Sequence, residues 1–433
     1  MIGRRPNRAS RLLLLAAVTA MLLVALASVW YRLASTSDGT RAEYVTSSLN
    51  RDGLGVNRLR GADTPLADGD RVTAVAGTAI EEWLTAPARP ASGEGRQLEY
   101  TVQRDGSARQ LSVALSPYPL APVLLDAWGT VLFCLALLAV ALYVFARRPD
   151  VSGVRPLLVM GAALNGSTIP WMLGFQALDL VRGIGFWLWL VGAFVVYSIF
   201  WSSSLHLMLV FPRRLRGVNR ATLTAVYAGP MALLAAAVAG AAVASGSLLD
   251  ALGAATGIQL ATVLAVSLAV IAGMVVQYRR APSAELRQQV AWIAWGGGMA
   301  VALGAAGWSI PQLLTGSSLL PWNAVGLAAL PLPFAIAVAV LRHRLFDIDV
   351  VVNRTLVYGA LTASVMLVYL AVTTLLGGVL PHDSFATTLL ATGVAALAAL
   401  PVRDLLQRGV NRLLYGDRDE PYRAITRLGE RLS

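Results

Sequence analysis

LEYTVQRDGSARQLSVAL, residues Leu98–Leu115, alternates apolar and polar positions on both sides of Asp105-Gly106. Leu98, Tyr100 and Val102 recur at every second position before that pair, and Leu111, Val113 and Leu115 do so after it. Two period-two runs joined by an Asp-Gly pair, which tolerates positive φ at both turn positions, predict a β-hairpin. Upstream, LADGDRVTAVAGTAI (Leu66–Ile80) places a turn before a short strand and a second turn at Gly77. Both signals fall within residues 36–121, a segment of ordinary soluble composition with no apolar run long enough to cross a bilayer. A small α+β domain is expected there.

The rest of the chain has a different character. Of 433 residues, 56% are hydrophobic and only 14% charged, a balance that excludes an ordinary soluble globular protein. A spanning helix needs roughly 20 mostly apolar residues. About ten runs qualify, at 11–33, 123–145, 157–175, 185–211, 221–245, 258–278, 290–314, 324–341, 356–380 and 385–402. The expected fold is therefore mainly α, a polytopic membrane helix bundle carrying the small α+β domain between its first two spans. The run 11–33 starts after Arg4 and Arg5 like a signal peptide. Its apolar core is longer than a signal-peptide core and ends in Trp30-Tyr31, so it reads as an uncleaved signal-anchor helix behind a short terminus, 1–10. Residues 123–402 form the multi-span domain and 403–433 an amphipathic tail.

The formal charge of +11 is carried by arginine, with no lysine in the chain. In so apolar a sequence a basic excess reads as the loop bias of membrane topology, and no nucleic-acid partner is expected. Arg4, Arg5, Arg8 and Arg11, then Arg147, Arg148 and Arg155, then Arg213, Arg214, Arg216 and Arg220 fall in alternate short loops. Arg279, Arg280 and Arg287, then Arg342, Arg344 and Arg354 continue the pattern, whereas Arg182 is the arginine of the intervening short loops. Both termini are therefore expected in the cytoplasm, and 36–121 outside it.

Sites for chemistry are sparse. Cys134 is the single cysteine, so neither a disulfide framework nor a Cys/His metal set is expected. His206, His343 and His382 fall in a span, an inner loop and an outer loop, and there is no His-Glu-x-x-His motif to hold zinc. WSSSLH (Trp201–His206) sets serines near a histidine on one helix, where a polar patch is the simpler reading than a nucleophile and its base. Asp126, Asn165 and Gln259 are the few polar residues in or beside the spans, too few for a transport pathway. No catalytic residue, cofactor or metal is expected.

Two resemblances organise these readings. Leu66, Gly69, Asp70, Val72, Val75 and Gly77 match the Leu-x-x-Gly-Asp-x-Val-x-x-Val-x-Gly pattern of PDZ-like domains. On that resemblance GLGV, residues Gly53, Leu54, Gly55 and Val56, is the loop whose backbone N–H groups bind a peptide carboxylate, with the peptide added as an edge strand. Read from its residues alone, GLGV serves equally as a glycine turn in a structural or dimer-contact module. LRHRLFDIDVVVNRTLVYG (Leu341–Gly359), NRLLYGDRDEPYRAITRLGERLS (Asn411–Ser433) and HLMLVFPRR (His206–Arg214) resemble segments of bacterial two-component sensor histidine kinases. The resemblance implies a sensory input module in the plasma membrane of a bacterium, working as a homodimer, with a peptide ligand outside and a cytoplasmic kinase or response regulator downstream. It also implies that Arg342, His343, Arg344, Asp347, Asp349, Asn353 and Arg354 couple the spans to the tail; anchoring to lipid headgroups is the simpler role for the same residues. The chain departs from the family in having no recognisable acceptor helix or ATP site, and its His382-Asp383 pair falls in an outer loop. This chain is accordingly expected not to be an enzyme, and the kinase to lie elsewhere. Ile425, Leu428 and Leu432 in the tail have the spacing of a two-helix seam. The alternative class is a transporter-like or structural membrane protein with a peptide-binding outer domain.

Overall fold

The computed structural model describes residues 8–342, apart from 43–48, 51–52, 81, 85–92, 148, 150–152, 246–247, 305, 308–318 and 321. The chain divides after Ile336. The first unit holds the features below, and of the second the structure describes the end of one helix. The two expected spans beyond Arg342, the tail, and His343, Arg344, Asp347, Asp349, Asn353 and Arg354 lie outside the described residues.

Between the first two apolar runs the described chain forms β1 (Thr36–Ser37), β2 (Thr40–Ala42), β3 (Leu49–Asn50), β4 (Gly53–Arg58), β5 (Asp70–Val75), β6 (Thr78–Ala79), β7 (Gln97–Arg104), β8 (Ser107–Ala114) and β9 (Ser116–Pro117). The main sheet is antiparallel in the order β2-β4-β5-β7-β8, with β3 also on β4 and β6 on β5, while β1 pairs with β9 where the chain enters and leaves the domain. The predicted hairpin is present. Asp105 and Gly106 take φ of 52° and 74°, and Leu98 faces Val113 while Tyr100 faces Leu111. Ala76 and Gly77 make a second turn of the same kind between β5 and β6. Val72 and Val75 are three residues apart, which ideal alternation would send to opposite faces. The register shifts between Val72 and Ala74, and this bulge returns both valines to the core. Among the described residues of this domain the helical content is one 3₁₀ turn, Glu82–Leu84.

The remainder is helical: α1 (Arg8–Ala34), α2 (Leu120–Asp126), α3 (Trp128–Arg147), α4 (Val154–Leu173), α5 (Ala177–Arg182), α6 (Ile184–Leu190), α7 (Tyr197–Val210), α8 (Arg220–Ser245), α9 (Leu248–Arg279), α10 (Ala284–Gly304) and α11 (Pro331–Arg342). A π-helical segment, Val191–Val196, makes α6 and α7 continuous. Among the described residues five stretches are long and apolar enough to cross a membrane: Ser10–Ala34, Trp128–Arg147, Ile184–Val210, Arg220–Ala244 and Gly257–Arg279. The protein is a membrane protein. The expected span at 123–145 is divided at Ala127, whose φ of −118° and ψ of 20° separate α2 from α3. The one expected at 324–341 is a 3₁₀ segment, Trp322–Ala329, followed by α11.

The helix α4 has a different environment from those five. It packs against α1, α3 and α7, and most of its residues are buried, so protein rather than lipid surrounds it. Small residues set these approaches. A Cβ on Gly166 would lie 2.5 Å from the Met21 carbonyl oxygen, and one on Gly161 would lie 3.2 Å from Leu138 Cα. Asn165 donates to the carbonyls of Cys134 and Gly161 at 3.0 and 2.9 Å, tying α4 to α3.

Candidate functional site

Arg32 closes the first apolar helix, and Asp179 lies on the short α5. The structure brings them together. The guanidinium grips the carboxylate in bidentate fashion, at 2.8 Å to Oδ1 and 2.6 Å to Oδ2, with both residues buried. Planar fork-to-fork pairing of this kind is a strong form of charge-assisted hydrogen bond. The remaining capacity is also used. Arg32 donates to the Gly174 carbonyl at 2.5 Å and the Gln176 side-chain oxygen at 3.4 Å, while the Tyr31 hydroxyl donates to Asp179 Oδ1 at 3.0 Å. The Tyr118 ring lies 5.1 Å from the guanidinium carbon, within cation–π range. Gln176 caps α5, its N–H donating to Asp179 Oδ2 at 2.8 Å.

Gln176 carries the network into the sheet domain. Its amide donates to the Ser37 hydroxyl and the Thr40 carbonyl, both at 2.7 Å. Beside it Asp38, also buried, accepts from the Thr40 N–H and hydroxyl at 3.0 and 2.9 Å and from the Tyr100 hydroxyl at 3.1 Å. Burial raises the Asp38 carboxyl above the usual range, against the pull of the Thr40 hydrogen bonds. Burial likewise pushes the Tyr118 phenol up to about 12. Arg182 binds the Thr36 carbonyl at 2.6 Å and the Thr36 hydroxyl. The apolar core is continuous across the same boundary, with Leu54, Val72, Tyr100 and Val113 of the sheet clustered with Phe175, Leu178, Phe186 and Trp189.

This junction has no nucleophile paired to a base. It is a set of buried charges and dipoles that fixes a sheet domain on the end of a helix bundle. Reading the sequence picked out Arg182 but passed over Arg32 and Asp179. The available signal was a charged residue just inside the end of an apolar run and an acid in the short stretch between two others.

The GLGV residues lie in a strand. Gly53, Leu54, Gly55 and Val56 are buried in β4, with β5 on one side and β2 and β3 on the other. Both backbone edges of β4 are thus paired within the chain itself. Gly53 is needed for close approach: its φ is 118°, and a Cβ would lie 2.4 Å from the Val72 carbonyl oxygen. The Leu-x-x-Gly-Asp motif has a structural role. Leu66 is buried, Gly69 takes φ of 83°, and Asp70 accepts from the Ala67 N–H at 2.8 Å and from Arg104 twice at 2.6 Å. Burial alone would raise the Asp70 carboxyl, but the hydrogen bonds from Arg104 and Ala67 outweigh it and hold the group below the usual range. In WSSSLH, Ser203 and Ser204 bond back to the Phe200 carbonyl, and His206 pairs with the Tyr227 hydroxyl at 3.1 Å. Among the described residues no group of His, Cys, Asp and Glu is placed to hold a metal ion. No protein-family model, no curated protein and no solved structure matches the chain.

Proposed function

We propose that this chain is the membrane-embedded input module of a bacterial two-component signalling system, sensing through its sheet domain outside the cell and passing the signal to a cytoplasmic histidine kinase. The observation that carries the reading is the Arg32–Asp179 pair, which joins two separate bundle elements and, through Gln176, the sheet domain. A sensor needs such a connection, because a ligand shifts a bundle only by binding two of its arrangements unequally. The sequence segments resembling sensor kinases support the downstream partner. Orientation is supported by the arginines: Arg147, Arg155 and Arg213 flank helix ends opposite to those that meet the sheet domain, and Arg220, Arg279 and Arg287 flank the ends of α8, α9 and α10.

Co-reconstitution in vesicles with a histidine kinase encoded beside this chain tests the proposal. Addition of the chain is expected to change ATP-dependent kinase phosphorylation several-fold, and Asp179→Asn to abolish the change. Equal phosphorylation with and without the chain would overturn it. In intact cells a cysteine at the exposed Asp105 turn is expected to react with a maleimide that cannot cross membranes, and protection from that reagent would reverse the orientation.

A further inference from the structure

Around the bundle end that meets the sheet domain, outward-facing residues are apolar where a wet surface would be charged. Trp30 and Leu33 on α1 are 69% and 66% exposed, Leu125 on α2 is 68%, and Ile184 and Trp187 on α6 are 63% and 54%. These residues share one level. A Cβ on Gly185 would lie 2.5 Å from the Tyr31 hydroxyl, which sets the start of α6 beside the last turns of α1. Val29 and Ile169 pack against Tyr118, Val123 and Leu173, which sets α2 beside those turns of α1 and the end of α4. Arg32 and Asp126 at this level point the other way. An arginine at a span end ordinarily extends toward headgroups or water, yet Arg32 turns inward to Asp179. On α2, Leu125 faces outward while Asp126 reaches Arg60 at 3.5 Å and Arg41 at 3.9 Å.

From this inside-out arrangement we propose that Trp30, Leu33, Leu125, Ile184 and Trp187 form a collar seated at the boundary between lipid headgroups and acyl chains. The sheet domain then rests on the bilayer surface, α2 lies in the interface, and the Arg32–Asp179 pair sits at interfacial depth. The occupant is lipid because the collar runs on without a break into the exposed apolar faces of two apolar helices, through Leu23 and Leu26 on α1 and Val191 and Val195 beyond α6. Tryptophan favours this depth because one side of its ring meets hydrocarbon while the indole N–H meets water. The inference rests on the membrane placement of the bundle and is independent of the signalling role.

Spin labels in the full chain test it. In a Cys134→Ala background, single cysteines are placed by Trp30→Cys, Leu125→Cys and Trp187→Cys, with Leu135→Cys on the exposed middle of α3 and Arg109→Cys on β8 as references. Leu33→Cys and Ile184→Cys stand in if a tryptophan variant fails to fold. Each is reconstituted in phosphatidylcholine vesicles, and label relaxation is measured with oxygen, which partitions into lipid, and a water-soluble nickel chelate. The collar labels are expected at one depth, shallower than Leu135, with an oxygen-to-nickel ratio several-fold above that of Arg109. Nickel accessibility equal to that of Arg109 would overturn the collar by standing the domain off the membrane. Shielding from both reagents would overturn it in favour of a covering protein. A water-exposed Leu135 would remove the spans themselves and the collar with them.

Discussion

Arg32 and Asp179 each lose their water to the other, and that exchange decides what substitution does. Removing one partner leaves an uncompensated buried charge, at a cost of about 3–5 kcal/mol, whereas replacing both by apolar residues of similar volume is often neutral. Arg32→Ala or Asp179→Ala is therefore expected to lower the thermal midpoint in detergent micelles sharply, and Arg32→Met with Asp179→Leu to restore most of it. A double variant as unstable as either single one would refute this. Asp70 gives a pH signature. Its folded-state pKa is below the ordinary value, so its contribution is present above the carboxylate range and is lost as pH falls through the lowered value. Asp38 has the opposite sign, its raised pKa giving a contribution that is greatest in acid and lost as pH rises through the folded value. Protection factors of the amides in the Leu66–Asp70 turn, with the intrinsic pH dependence of exchange divided out, should fall in acid, and Asp70→Asn should flatten that dependence; an unchanged profile would assign the acid response to other groups. None of these pairings was legible in the sequence, because 147 positions separate Arg32 from Asp179 and local pattern carries no information at that range.

Elements were legible where their causes are local. The Asp105-Gly106 hairpin follows from two positive-φ positions between alternating runs, and the valines three apart on β5 only make sense once the bulge is seen. Runs of apolar residues located α1, α3, α8 and α9 well, because lipid-facing helices must be apolar on their outer surface. The run 157–175 located α4 as well, a helix whose surroundings are other helices and whose glycines, serine and asparagine serve close packing. GLGV is ambiguous in sequence, since a glycine pair suits a ligand loop and a tight strand approach equally. Gly53 and Gly69 separate the two effects. A side chain at Gly69 meets only the strain of its positive φ, with nothing within 4 Å, whereas at Gly53 it also meets the Val72 carbonyl. Gly69→Ala should cost about 1 kcal/mol, and Gly53→Ala distinctly more, read as the loss of thermal midpoint. Equal losses would mean that β4 can shift to make room.

At the scale of the molecule, composition drew a boundary that packing does not respect. Residues 36–121 separate cleanly from the apolar runs in sequence, which suggests a domain able to fold alone. Its core says otherwise. Leu54, Val72, Tyr100 and Val113 belong to one buried cluster with Phe175, Leu178, Phe186 and Trp189, and Phe175 meets the rings of Phe186 and Trp189 at 5.8 and 5.4 Å. The Ala42 N–H donates to the Phe175 carbonyl at 2.6 Å, and Asp38, Ser37 and Thr40 hold partners on α5 or its cap. Excision would therefore open the apolar face of the sheet to water and strand a buried carboxylate network. A segment of 36–118 expressed alone should lack a cooperative thermal transition, since the burial that offsets its chain entropy comes partly from residues 174–194. In the full chain, amides of β4 and β7 should exchange together with those of α5, as one cooperative unit. A cooperative melt and dispersed amide resonances from the excised segment would show that the sheet carries its own stability. The junction would then be a contact between two independent domains, and the Arg32–Asp179 pair would act as a latch between them in place of a shared core.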